Sequence, residues 1–204
     1  MIKLDRAEKP TYLTDQKVTE LTQEYIKDGK SVWNNNNIKT PLLNSSNNKC
    51  AYCECILTKE SNYMEVEHFE DKSHNPDKVV LWENLLPSCK KCNGKKGTHD
   101  VLNEPIVNPY IENPKDHFVM RLYRMRGKTD RGINSIDVYG LNHSSRLVFS
   151  RFEIGEKISE LISTSWDRVN TYENNKNTRS KNKLIDIYSS RLSFRNKNIS
   201  KNMY

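Results

Sequence analysis

No apolar run in the chain approaches the roughly 20 residues that cross a bilayer, so a membrane-spanning helix is not expected. Met1-Ile2-Lys3-Leu4-Asp5-Arg6 has no apolar core of a leader, and no secretory signal is read there. No Gly-x-x-x-x-Gly-Lys-[Ser/Thr] loop occurs, which removes the recognisable phosphate loop of a nucleotide sensor. No internal repeat is present. Hydrophobic residues make up only 35% of the 204, and mean hydropathy is −0.86. That is little material for one self-sufficient core, so a modest core stapled by a metal is expected. Cysteine is also sparse, but four of the five stand in tight pairs. Such pairs suit metal ligation in a reducing cytoplasm better than disulfides.

Charge of one sign is in excess. Lys and Arg number 33 against 26 Asp and Glu, giving a net charge of +7 and a pI near 9.1. A polyanionic partner is one reading, and a solvated basic surface is the other.

The chain divides into four parts. Residues 1–48 hold an extended arm and a helix capped by Thr14 or Asp15, with Val18, Leu21 and Tyr25 on one face and Gly29 at its end. Asn34 to Asn37 and Asn44 to Asn48 are polar loop signals around Ile38, Leu42 and Leu43. Residues 49–100 form a cysteine-bounded module. In it, Tyr63 to Glu67 alternate as a strand, His74 to Asp77 turn, and Val79 to Trp82 with Leu85 to Pro87 supply core. A short helix from about 90 then carries Asn93. Residues 101–143 are a linker and a hairpin, with strands expected over Phe118–Arg126 and Ile133–Tyr139. Residues 144–204 are helical with a basic tail. Leu147, Ile154, Ile158, Leu161, Ile162, Val169 and Tyr172 recur at helical spacing, as either core or a partner face. Leu184, Ile187, Tyr188 and Leu192 permit one more short helix, and the last ten residues are expected to fray.

Cys50-Ala51-Tyr52-Cys53 and Cys89-Lys90-Lys91-Cys92 share one spacing. Each loop can present two thiolates to one side, and two loops close a tetrahedron around Zn2+. A closed four-thiolate site is structural, so any catalyst must lie elsewhere. Cys55 is left over, as a small buried residue or an alternative ligand.

Between the pairs lies Glu67-His68. Phosphodiester hydrolysis needs an activated water and a cation on the leaving oxyanion. Neutral imidazole at His68 suits the first task. Oxygen ligands from Glu67 and Asn93 suit the second, with Mg2+ or Mn2+ as the cation. His99 is a rival ligand. Asn84 could tie the intervening loop to the backbone and so hold His68. Lys90, Lys91, Lys95 and Lys96 are placed to touch phosphates, which position a strand without reading bases. Two other readings remain open. One is a zinc-containing nucleic-acid-binding module without catalysis. The other is a scaffold whose long helix recruits a partner.

Cys50 to Cys53, Val66-Glu67-His68-Phe69, and Trp82 to Asn93 together resemble the HNH nuclease family. The resemblance covers about 50 residues. It implies an α+β fold built on a zinc-clamped ββα-metal module, with a metal-binding carboxylate at Glu67, a general base at His68, a middle Asn at Asn84 and a helix-borne ligand at Asn93. Two positions depart from the commoner pattern: the first is Glu where Asp or His is usual, and the last is Asn in place of His. The stretches Tyr25 to Asn34, Cys50 to Cys55 and Tyr63 to Phe69 further resemble the PtuB group of Septu and retron-associated antiphage systems. That resemblance implies a partner ATPase of the PtuA type, and in retrons a reverse transcriptase with its RNA–DNA product.

Overall fold

The computed structural model describes residues 1–59, 62–176 and 178–186. They fall into two compact units: Met1–Val148, and a second that begins at Phe149. The class is mixed α+β.

In the first unit, α1 (Asp15–Asp28) starts where the Thr14 hydroxyl accepts from Lys17 N and stops at Gly29, whose φ of 66° suits a residue without Cβ. Helix α2 (Asn36–Ser45) replaces the loop expected from the asparagines. Asn35 caps it through its side-chain oxygen, while Ile38 and Leu42, one turn apart, are fully buried. Their burial stabilises a helix that Asn and Pro41 alone would disfavour, each such side chain contributing about 1.5–3 kcal/mol.

Strands β1 (Thr58–Lys59), β2 (Asn62–His68) and β3 (Leu85–Cys89) form one antiparallel sheet in that order. The register sets Glu65 opposite Ser88, Glu67 opposite Leu86 and His68 opposite Leu85. Helix α3 (Lys90–Lys96) follows β3 directly, with Cys89 as its cap. Between β2 and β3 the chain makes two short 3-10 turns, Pro76–Lys78 and Trp82–Asn84. Arg6 of the N-terminal arm grips the second of these. Its guanidinium donates to Trp82 O, Glu83 O and Leu85 O at 2.7–2.9 Å. Trp82, 2% exposed, returns a bond from Nε1 to Ala7 O. The arm is thus tied down by the turn that carries Asn84.

A four-residue helix α4 (Pro114–His117) leads into a hairpin, β4 (Phe118–Arg121) and β5 (Arg124–Gly127). The whole hairpin occupies the span expected as a single strand over Phe118–Arg126. The second expected strand, Ile133–Tyr139, is instead part of helix α5 (Asp130–Tyr139). Thr129 caps its start and Gly140, at φ 62°, ends it. Gly132, Ser135 and Tyr139 are buried at a spacing of three and four, which only a helix provides.

In the second unit, α6 (Phe149–Asn175) begins close to the expected position, just after a π-type turn at Ser144–Val148. None of its residues is buried. Ile158, Leu161, Ile162 and Trp166 are 50–63% exposed, so within α6 the apolar stripe is not core among the described residues, whereas Leu147, ahead of the helix, is buried in the first unit. Residues 178–186 are helical and include Leu184. Ile187, Tyr188, Leu192 and the last ten residues lie outside the described residues. Among the described residues no helix is long and apolar enough to cross a membrane.

Candidate functional site

Strands β2 and β3 with α3 carry Glu65, Glu67, His68, Cys89, Cys92 and Asn93, while Asn84, Cys50, Cys53 and Cys55 stand on the turns and loops beside them. His68 ends β2 and is 5% exposed. Its Nε2 lies 2.8 Å from the carbonyl of Val79. A carbonyl can only accept, so the proton sits on Nε2 and Nδ1 keeps its lone pair. The Trp33 ring meets the imidazole edge-on, with centroids 4.8 Å apart. Burial pushes the His68 pKa down to about 4, against a smaller upward pull from Val79 O. The ring is therefore neutral at cellular pH.

Asn84 sets this geometry one step back. Its Oδ1 accepts from Glu70 N at 2.7 Å, and its Nδ2 donates to Glu70 O and Lys78 O. Its own carbonyl accepts from Phe69 N. The loop is thereby pinned just after His68 and at Lys78, immediately before the Val79 carbonyl that orients the imidazole.

The carboxylate beside Asn93 is Glu65, not Glu67. Asn93 Nδ2 donates to Glu65 Oε2 at 2.7 Å. Glu65, His68, Asn93, Lys72 and Trp33 line one open cleft of about 370 Å³. Glu67, 2% exposed, does not line it. Residues two apart on a strand share a face, and α3 lies across that face of β2. Asn93 meets Glu65, and Lys96, one turn along α3, meets Glu67. Lys96 Nζ is 2.8 Å from Glu67 Oε1. The same ammonium, which has three N–H donors, also donates to His68 O at 2.8 Å. Burial raises the Glu67 pKa to about 7, and the charge of Lys96 works against the rise. Lys96, at 3% exposure, is consequently removed from the set of phosphate-facing lysines, while Lys90, Lys91 and Lys95 are exposed. His99 bonds Glu104 O and lines a separate hollow with His74 and Asp71, away from Asn93.

The thiols form the second centre. The sulfurs of Cys50, Cys53, Cys55 and Cys89 all lie within 4.8 Å of one another. Cys55, the leftover in the sequence, stands in this group. Cys92 lies at its border, with its sulfur 3.8 Å from Tyr139 O and 3.9 Å from the Arg146 guanidinium. The same guanidinium nitrogen is 3.7 Å from Cys53 and 3.9 Å from Cys89. Burial would raise the Cys50 thiol, yet hydrogen bonds from its four thiol neighbours together pull it well below the usual range. Cys89 is raised by Cys50 but brought down to about 3 by Cys53, Cys55 and Cys92. Cys53 is pushed up to about 12, first by Cys50. Soft sulfur donors gathered this closely fit a metal ion such as zinc. Among the described residues no second set of three or more His, Cys, Asp or Glu side chains converges in this way.

No protein-family model matches the chain. Two curated relatives carry the same description. The chain is 46% identical over 187 residues to the Septu protein PtuB of Bacillus thuringiensis, covering 91% of this chain and 72% of that protein. It is 28% identical over 188 residues to the Septu protein PtuB of Bacillus mycoides (strain KBAB4), covering 76% and 60%. A shorter likeness, 36% over 80 residues, covers 38% of this chain and 25% of Protein ea31 of Escherichia phage lambda. The chain belongs to the Septu PtuB family.

Proposed function

We propose that the chain is a metal-dependent endonuclease of the HNH type and the nuclease component of an antiphage system. The observation that carries this reading is the state of His68. It is held neutral by burial, its Nε2–H is committed to Val79 O, and its Nδ1 is left as a proton acceptor in the cleft that Glu65 and Asn93 also line. A neutral imidazole with one nitrogen fixed as donor can take a proton from water on the other. Glu65 and Asn93 offer two hard oxygen-bearing side chains in an open cleft, which fits a Mg2+ or Mn2+ ion that keeps several waters. Such an ion would stabilise charge on the phosphoryl and leaving oxygens. Glu65 takes the place expected of Glu67, whose carboxylate is turned to Lys96. The β2–β3 pair followed by α3 is the segment that would correspond to a ββα module, with zinc at the thiols as its clamp.

The names of the relatives place them in Septu systems, which supports a defence role and a companion subunit. We propose a PtuA-type ATPase as that companion, and a reverse transcriptase with its RNA–DNA product where the system is a retron. The exposed Leu161, Ile162 and Trp166 of α6 would serve as the docking face. The test is to switch on the intact system in cells and sequence all new nucleic-acid ends. Ends that appear with the wild type and vanish with His68→Ala are expected. Equal ends with both would leave the chain as a binding module or scaffold.

A further inference from the structure

Three cavities of the first unit share lining residues. The cleft at His68 shares Lys72, Glu65 and Asn93 with a second hollow of about 530 Å³. That hollow shares Lys91 and Lys95 with a groove of about 700 Å³ floored by α5. The groove ends at Asn142, His143 and Arg146. Cations dominate along this path. Lys39, Lys72, Lys90, Lys91, Lys95 and Arg146 line it, against three acids. Two of those acids are engaged, Glu65 by Asn93 and Asp71 by His74. Lys72, Lys90 and Lys91 form no ion pair among the described residues, in contrast to buried Lys96. Lys95 is laid across Gly140, where a Cβ would come within 2.9 Å of its chain, and it donates to the Asp137 carbonyl. Lys95 forms no ion pair among the described residues, and Asp137 is the one acid lining that groove.

We infer that α3 carries a track for one nucleic-acid strand, running from the His68 cleft past Lys72, across Lys91 and Lys95, to the groove at His143 and Arg146. The inference rests on the nucleic-acid reading above and adds where the strand beyond the cleaved bond lies. The lysines offer ammonium groups, which contact phosphates whatever the base, while Arg146, whose guanidinium faces the thiols, adds positive charge at the far end. Exposed Tyr63 at the cleft end supplies a face on which a base can stack.

The test uses the full chain and fluorescein-labelled oligothymidylate and oligouridylate of about 4 and about 16 nucleotides, which bracket single-strand site sizes. The longer oligomers are expected to bind the wild type more tightly. Lys91→Gln/Lys95→Gln should remove that length advantage and lower the slope of log affinity against log salt by roughly 0.7 for each phosphate that is no longer neutralised. Lys27→Ala, on α1 and outside the three cavities, should change neither. A double variant that melts like the wild type and keeps both the length advantage and the slope would overturn the track. A wild type that binds both lengths equally would overturn the track alone. A wild type that binds neither length would overturn the nucleic-acid reading as well.

Discussion

Asn93 donates its side-chain amide to Glu65 Oε2 at 2.7 Å, which joins α3 to β2 across the mouth of the His68 cleft. This bond identifies the carboxylate that shares the cleft with Asn93. The carboxylate next to His68 in sequence is instead buried against Lys96.

From that pairing, Glu65→Gln and Asn93→Ala should both lower cleavage in a way that depends on metal concentration. Raising Mg2+ or Mn2+ should recover part of the rate for each, because an oxygen ligand is removed while the base remains. Titrating the metal in a cleavage assay measures this. Full wild-type activity in Glu65→Gln at limiting metal would return the ligand role to Glu67.

Removing the metal from the thiol cluster should cost structure. Cys89→Ser, within the cluster, is expected to lose zinc and melt at lower temperature together. Cys55→Ser and Cys92→Ser separate the two possible quartets: the variant that keeps one zinc per chain marks the spare thiol. Metal analysis beside a melting curve reads both. Unchanged melting with no zinc in Cys89→Ser would rule out a clamp.

Much of the module was legible from residue order. Thr14 and Gly29 bound α1 as expected, and Tyr63 to Glu67 lie in β2. Helix α3 starts at 90, and three of the four paired cysteines, Cys50, Cys53 and Cys89, converge on one cluster, in which Cys55 stands where Cys92 was expected. Other features were hidden because tertiary packing outweighed local signals. The asparagines around Ile38 read as loop, yet one of them is a helix cap. Ile133, Val138 and Tyr139 read as strand, although Thr129 and Gly140 mark helix ends. The partner of Asn93 could have been found. Glu65 and Glu67 share a strand face, and Asn93 and Lys96 are one helical turn apart, so the two pairs can stack in parallel. The burial of Lys96 and the exposure of the α6 stripe had no signal in the sequence, since both depend on what packs nearby.

The buried Glu67 gives a pH signature in stability. Burial favours its protonated form, so the folded protein holds that proton up to about pH 7, while an unfolded carboxyl releases it near 4.5. The contribution is fully present below pH 4.5 and is lost as pH rises through 7, a change on the order of 3 kcal/mol. Melting temperature should fall over that window in the wild type and fall less in Glu67→Gln. Parallel curves for the two proteins would remove Glu67 as the source.

If the proposed companion is a PtuA-type ATPase docked on α6, Leu161→Glu/Ile162→Glu should abolish its recovery on co-expression, with the helix content of the chain unchanged by circular dichroism. Replacing a surface apolar pair costs little folding stability, so retained folding without association is the expected pattern. Undiminished association would place the docking face elsewhere.

The most direct measurement is the cleavage rate of the purified chain, alone and with the proposed ATPase companion, on DNA and on RNA with Mg2+ or Mn2+, as a function of pH for wild type and His68→Ala. The wild type should cleave, and the acidic limb of its kcat/KM should lie below the ordinary histidine value of 6.5, since His68 stays neutral down to about pH 4. His68→Ala should lose about 10²–10⁴-fold in rate while keeping its fold, and added metal should not restore it. Cleavage by His68→Ala at the wild-type rate, or none by the wild type with either substrate, would contradict a nuclease built on His68.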